Sequence, residues 1–371
     1  MQTEDIIREF IEIVSVPSFS RNERAVCDLL KAKLEAIGLT VREDDAAEKL
    51  GGNTGNLIAT LEGAPGATPV LFSSHMDRVP NTGRIGCVVD SEQGLIRSDG
   101  TTILGADDAA GLVAILDAVR ELKASGEPHA PVEVVFTVNE EIGLDGASAL
   151  DMSSLKARCA YLIDSPGRVG RLINEAPTIC GIEVTVHGRS AHAGTEPEKG
   201  LNAIKVAADA LYHLPEGRIS PRVTSNFGII NAGKATNVVC DRVKLLGEAR
   251  GTDEKALNEY LELVRSVFAR TAEKYETEIE VSIKKSCLSF SLGEQEPVIR
   301  LALSAMEKLG ITPEIRSSGG ASDGNVFNAK GMPAAVLGAG YFANHTKNEH
   351  VYYEDIALCS RLLQQIAKEA L

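Results

Sequence analysis

What most limits how these 371 residues can fold is a change of rhythm that begins near residue 177 and ends near residue 287. Before it, short β-branched runs alternate with helical patterns, as in a parallel or mixed sheet flanked by helices. Helices are expected over 4–14 and 22–37, the second closed by Gly38, and strands over Asn56–Glu62, Pro69–Ser74, Val132–Val138 and Ala160–Ile163. A further helix is expected over Asp107–Lys123, its acidic start suiting the positive end of the helix dipole. Inside the interval the order becomes strand (178–187), helix (200–213), strand (223–231), strand (237–249), helix (253–276) and strand (278–284), the β-α-β-β-α-β order of a ferredoxin-like unit. Afterwards a helix over Glu296–Leu309, a short strand near Pro313–Arg316, a Gly/Ser loop (317–325), a strand over Pro333–Leu337 and a helix over 355–370 restore the first rhythm. The expected architecture is one α/β domain made of residues 1–176 and 288–371, interrupted by an inserted domain, 177–287. More than one core also suits the length, at roughly 150 residues per domain.

Charge and composition exclude several roles. Lys and Arg number 38 against 52 Asp and Glu, a net charge of −14, opposite to what binding a phosphate backbone needs, and no Trp is present to stack on bases. Nucleic acid is not an expected partner. Apolar runs such as Ala109–Leu116 are cut by Asp117 long before the roughly 20 residues of a membrane span, so no membrane association is expected either. The first residues lack the basic start and apolar run of a signal peptide, which points to the cytoplasm. Seven scattered cysteines without a Cys-x-x-Cys pair suggest reduced thiols.

The residues that can carry chemistry gather where strands end. His75 and Asp77 follow one strand, Glu140 and Glu141 a second and Asp164 a third, while His345 and His350 lie downstream of a fourth. In open α/β sheets the ligand crevice lies at that edge. Carboxylates and imidazoles without thiolates suit catalytic zinc, manganese or cobalt. The surplus over the three protein ligands of a single zinc suits two ions about 3.5–4 Å apart with a shared carboxylate, for which Asp107 and Asp108 are candidates. Each motif alone has an ordinary reading, Asp-Asp as a helix cap and Glu-Glu as surface. Their joint position after apolar strands argues otherwise, since an unpaired buried carboxylate is costly.

The motifs Ser74-His-Met-Asp77, Gly105-Ala-Asp-Asp-Ala-Ala-Gly111, Asn139-Glu-Glu-Ile-Gly-Leu144, Leu162-Ile-Asp164, Arg189-Ser-Ala-His-Ala-Gly194 and His345-Thr-Lys-Asn-Glu349 resemble those of the co-catalytic di-zinc metallopeptidases, the group of peptidase T, carboxypeptidase G, aminoacylase and the desuccinylases. The resemblance runs over nearly the whole chain and is nearest to the peptidase T-like members. It implies that His75, Asp107 and Asp164 bind one zinc and that Asp107, Glu141 and His345 bind the other, with Asp107 bridging and His345 taken over His350. It implies that Asp77 holds the imidazole of His75, and that Glu140 is the general base for a hydroxide bridging the two ions. His192 would stabilise the oxyanion from the other subunit of a homodimer built through the inserted domain. Asn237, Arg250 and the loop containing Gly320 would contact substrate. Ala109 stands where many relatives have lysine. The implied activity is removal of the N-terminal residue from short peptides such as tripeptides. The alternatives are an N-acyl-amino-acid amidohydrolase or carboxypeptidase of the same family, or a non-catalytic binding protein that kept the fold.

Overall fold

A computed structural model describes residues 3–80 and 85–371. The chain forms two compact units, a larger one made of residues up to Asn174 with Leu292–Ser317 and Ser322–Leu371, and a smaller one made of Glu175–Ser291 with Ser318–Ala321.

The larger unit is built on a mixed sheet whose strands run in the order Thr40–Glu43, Leu57–Leu61, Val132–Thr137, Val70–His75, Ala160–Ser165, Ala334–Gly338 and Arg171–Ala176. Val70–His75 pairs in parallel with Val132–Thr137 and Ala160–Ser165, and Ala334–Gly338 pairs in parallel with Ala160–Ser165. These four central strands end at one edge. Their sequences are nearly continuous apolar runs because both faces are covered, and every residue of Val70–His75, Val132–Thr137 and Ala334–Gly338 is buried. The helix Ala106–Ser125 is buried along most of its length and shares a core with the helices Thr3–Ser15, Arg24–Ile37, Pro297–Lys308 and Tyr353–Glu369. A small antiparallel sheet of Cys87–Asp90, Leu95–Ser98, His350–Tyr352 and Tyr341–Phe342 was not expected from the sequence. Its strands are two to four residues long, too short for a period-2 pattern to register.

The smaller unit is an antiparallel sheet in the order Gly217–Ser220, Val223–Ala232, Arg242–Gly251, Thr178–His187 and Ile279–Cys287. Leaving aside the short edge strand Gly217–Ser220, the order of elements is β-α-β-β-α-β. The helices Ala203–Tyr212 and Glu254–Tyr275 cover one face, and Asn202 and Asp253 cap them by accepting the amides of Ile204 and Ala256. Val184, Val186, Val206, Leu245, Val264 and Phe268 belong to its core. The strand expected from 237 starts only at Arg242, because Asn237–Asp241 forms a loop joined to the His192 segment by a His192–Val238 bridge.

Candidate active site

The candidate site lies at the carboxyl edge of the four parallel strands, and each strand delivers its part as it ends. Val70–His75 closes on His75, Ala160–Ser165 carries Asp164, and Val132–Thr137 leads through Asn139 to Glu140 and Glu141. Past Ala334–Gly338 the chain reaches Asn344 and His345. Asp107 enters from the start of the helix Ala106–Ser125, where Gly105 has φ 77° and neither Asp107 nor Asp108 has helical dihedrals.

Asp107 stands at the centre. Its Oδ1 lies 3.1 Å from Nε2 of His75, and its Oδ2 lies 3.4 Å from Nε2 of His345. Each imidazole has a further carboxylate beside it, Asp164 at 3.7 Å from His75 and Glu141 at 3.1 Å from His345. Asn344 donates to Oδ2 of Asp107 at 2.8 Å, and the hydroxyl of Tyr341 donates to Asp164 at 3.2 Å. Donor atoms of His75, Asp107 and Glu141 all lie within 4.8 Å of one another, as do those of His75, Asp108 and Asp164. Asp108, however, has its carboxylate engaged elsewhere. Ser74 donates to it at 2.6 Å and the amide of Gly111 at 3.1 Å, so Asp108 serves the helix start while Asp107 faces the imidazoles. His350 stands apart, its ring stacked on Phe342 with centroids 5.6 Å apart.

Asp77 meets His75 through both its main chain and its carboxylate. Nδ1 of His75 donates to the main-chain carbonyl of Asp77 at 2.8 Å, and the carboxylate stands 3.6 Å away. That carboxylate also accepts the amides of Glu140 at 2.9 Å and Glu141 at 3.2 Å, and the hydroxyl of Ser20 at 2.6 Å. Asp77 thus fixes the tautomer of His75 with its backbone and the glutamate turn with its side chain.

The electrostatics are those of a cation site. Burial lowers the affinity of His75 for a proton, yet Asp107, Asp77 and Asp164 together hold it well above the ordinary imidazole range. Hydrogen bonds to Asp107 and Glu141, against burial, raise His345 to about 10. Burial raises Asp164 far above the usual carboxylate range; His75 opposes this, and Asp107, Asp323 and Glu141 add to it. Burial likewise raises Glu140, opposed by His75 and reinforced by Asp164 and Asp323. Carboxylates crowded so closely repel one another, and the imidazoles charge to compensate. Divalent cations would relieve both, and the oxygen and imidazole donors fit such ions.

Three buried carboxylates were missed by the sequence reading as site residues. Glu349 accepts the amides of Gly105 at 2.6 Å and Asp107 at 3.1 Å, and burial raises it to about 7. Asp323 accepts the hydroxyl of Thr137 at 2.5 Å and is raised by burial to about 6. Glu23 accepts the amide of Asn139 at 3.1 Å and is raised by burial, and next by Asp77, to about 7. Glu349 and Asp323 fall inside motifs read for other members, the histidine segment and the Gly/Ser loop. Nothing in one sequence marks Glu23, because its burial is a tertiary fact.

The remaining expected residues lie in the smaller unit. Nδ1 of His192 accepts the amides of Gly194 and Thr195, both at 3.2 Å, which puts the proton of the neutral ring on Nε2. Asn237 is exposed, and its carbonyl accepts the amide of Ala193. Arg250 is gripped by Glu248 through two bonds, at 2.7 and 3.0 Å, and donates to the carbonyl of Gly319 at 3.2 Å. Gly319 and Gly320 do not have positive φ, and a Cβ on Gly319 would meet nothing within 4 Å. Neither backbone strain nor packing requires glycine at position 319.

An α/β sheet whose parallel strands bring imidazoles and carboxylates around a shared aspartate defines a metal-dependent hydrolase. The chain belongs to peptidase family M20/M25/M40, whose model matches residues 71–369, and it is a metallopeptidase. It is 38% identical to the uncharacterized protein YqjE of Bacillus subtilis over 98% of both chains. Among solved structures, aminopeptidase PepT from Bacillus cereus matches with a TM-score of 0.92 and 38% identity, covering 100% of this chain and 99% of that one. A tripeptidase from Staphylococcus aureus matches with a TM-score of 0.95 and 34% identity over the same shares.

Proposed function

We propose that this enzyme is a peptidase T-like aminopeptidase that removes the N-terminal residue from short peptides, tripeptides above all, with two divalent ions. One observation carries the reading: Asp107 turns one carboxylate oxygen to His75 and the other to His345, and these two imidazoles have Asp164 and Glu141 beside them. His75, Asp107 and Asp164 would hold one ion, and Asp107, Glu141 and His345 the second, zinc suiting the donors best and manganese or cobalt also fitting them. Bound there, such ions supply a water of lowered pKa and polarise the scissile carbonyl. The solved tripeptidase and PepT neighbours support the substrate class.

Glu140 is the general base in this reading. Its amide is pinned by Asp77, and its carboxylate takes no hydrogen bond from any described residue. A free carboxylate on that turn suits a group that takes a proton from the attacking water and returns it to the leaving amine. His192, with its proton on Nε2, is a ready donor to the carbonyl oxygen as it gains charge. Asn237 and the loop at Gly320 would contact the peptide, and Arg250, already paired with Glu248, would hold that loop through Gly319.

The enzyme works in this reading as a homodimer through the smaller unit. Support comes from exposed apolar side chains there: Ile204 and Tyr212 on their helix, and Ile229 and Ile230 where Val223–Ala232 runs past its short edge neighbour. The unpaired length of that strand suits pairing with a second copy. We place the enzyme in the cytoplasm, in keeping with seven free thiols and with no helix among the described residues long and apolar enough to cross a membrane.

The test separates base from ligand. Glu140→Gln should keep two ions per chain and lose turnover by about 10²–10⁴-fold, whereas Glu141→Ala should lose ion as well, measured by metal analysis beside peptide hydrolysis. Wild-type turnover in Glu140→Gln would overturn the assignment.

A further inference from the structure

Glu140 and Glu141 sit on a turn that opens at Asn139 with φ 55°, a left-handed conformation that Asn adopts more readily than other L residues. Three successive amides of this turn end on buried carboxylates from other elements. The amide of Asn139 donates to Glu23, and those of Glu140 and Glu141 donate to the two oxygens of Asp77.

Both carboxylates are tied to one stretch near the N-terminus, residues 18–23, between the helices Thr3–Ser15 and Arg24–Ile37. Ser20 donates to Asp77 Oδ2 at 2.6 Å, and the amide of Arg21 donates to the side chain of Asn139 at 2.6 Å. Arg21 is itself left-handed, φ 72°, and its carbonyl accepts the amide of Asn53. The stretch is anchored in turn by Arg78, whose amide donates to the carbonyl of Ser18 and whose guanidinium donates to the Ser18 hydroxyl, both at 2.8 Å. None of these residues joins the ion-holding group. Together they fix the turn that must aim Glu140 one way and Glu141 the other.

We propose that residues 20–23 form a positioning brace for the general base, with Ser20 and Glu23 as its two positioning residues. The inference rests on the reading of Glu140 as the base. A displacement of about 1 Å at a reacting group can cost on the order of 10²-fold in rate, so a brace of two hydrogen bonds is enough to matter. Ser20→Ala leaves Asp77 its two amide bonds but frees it to turn. Glu23→Ala removes the partner of the Asn139 amide, whereas Glu23→Gln keeps an acceptor there.

The experiment measures kcat, KM, ion content and thermal stability for Ser20→Ala, Ser20→Thr, Glu23→Ala and Glu23→Gln, loaded with zinc and given a tripeptide. Expected at saturating zinc is a loss of about tenfold in kcat for each alanine variant, the size of one hydrogen bond to a charged group, with KM unchanged. Ser20→Thr and Glu23→Gln should recover most of the rate. In a Glu140→Gln background, Ser20→Ala should cost nothing further, whereas a merely structural role would lower the residual rate again. Unchanged kcat in Ser20→Ala, with Glu140→Gln inactive, overturns the brace alone. An active Glu140→Gln overturns the base and the brace together. Should Glu23→Ala fail to fold, Ser20→Ala decides the matter, because its hydroxyl is only half-buried.

Discussion

His345 is held at about 10 by Asp107 and then Glu141, and Asp107 first among its partners holds His75 up against burial. A group whose affinity for a proton rises on folding stabilises the fold below its unfolded value, about 6.5 for histidine, and loses that contribution as pH climbs through the folded value. Burial has the same directional effect through Glu349 and Glu23, both near 7, since each keeps in the folded state a proton that the unfolded chain sheds near 4.5. All four act in one direction. The ion-free protein should therefore melt at a lower temperature at about pH 8 than at about pH 6, and added zinc should raise the melting temperature most at the higher pH. An ion-free melting temperature that climbs over that interval would contradict the picture. At this scale strand ends and ordered motifs, visible in one dimension, pointed to His75, Glu141 and Asp164, while the family resemblance chose Asp107 over Asp108 and His345 over His350; the structure brings these five side chains together. It did not reveal Ser20 or Glu23, or that Asp77 reaches the glutamate amides, because those facts depend on which loops meet.

Helix starts and tight turns set the site's geometry, and their glycines differ in what they do. Gly105 has φ 77°, and a Cβ there would lie 2.3 Å from Cδ of the buried Arg78. Gly105→Ala should cost about 1–3 kcal/mol of stability through backbone strain alone and, because the Gly105 amide binds Glu349, should weaken ion binding as well. Gly319→Ala meets open space and needs no left-handed backbone, so its melting temperature should match wild type while KM for peptides rises if that loop faces substrate. Equal melting temperatures for the two variants would sink this distinction. The parallel strands were legible because burial on both faces writes continuous apolar runs. The Asp107-Asp108 pair was only half legible as a helix start: neither has helical dihedrals, Asp108 accepts the Gly111 amide as a cap does, and Asp107 faces the imidazoles.

For the whole molecule, Glu175–Ser291 with Ser318–Ala321 packs as a separate unit with its own core. Its exposed apolar side chains and the Nε2 proton of His192 acquire a use if two copies associate. Mixing His192→Ala with Glu140→Gln, each nearly inactive alone, should then restore part of the activity, and its absence in a mixture shown to exchange subunits would count against a shared site. What kind of peptide enters was the least legible property, because Asn237, Arg250 and Gly320 are ordinary residues whose roles depend on a bound substrate. The central claim is met most directly by incubating the zinc-loaded enzyme with a tripeptide beside an N-acyl-amino acid and identifying the products. Release of the free N-terminal amino acid and a dipeptide from the tripeptide, with the N-acyl compound intact, is the predicted result; an untouched tripeptide with a released acyl group would contradict it.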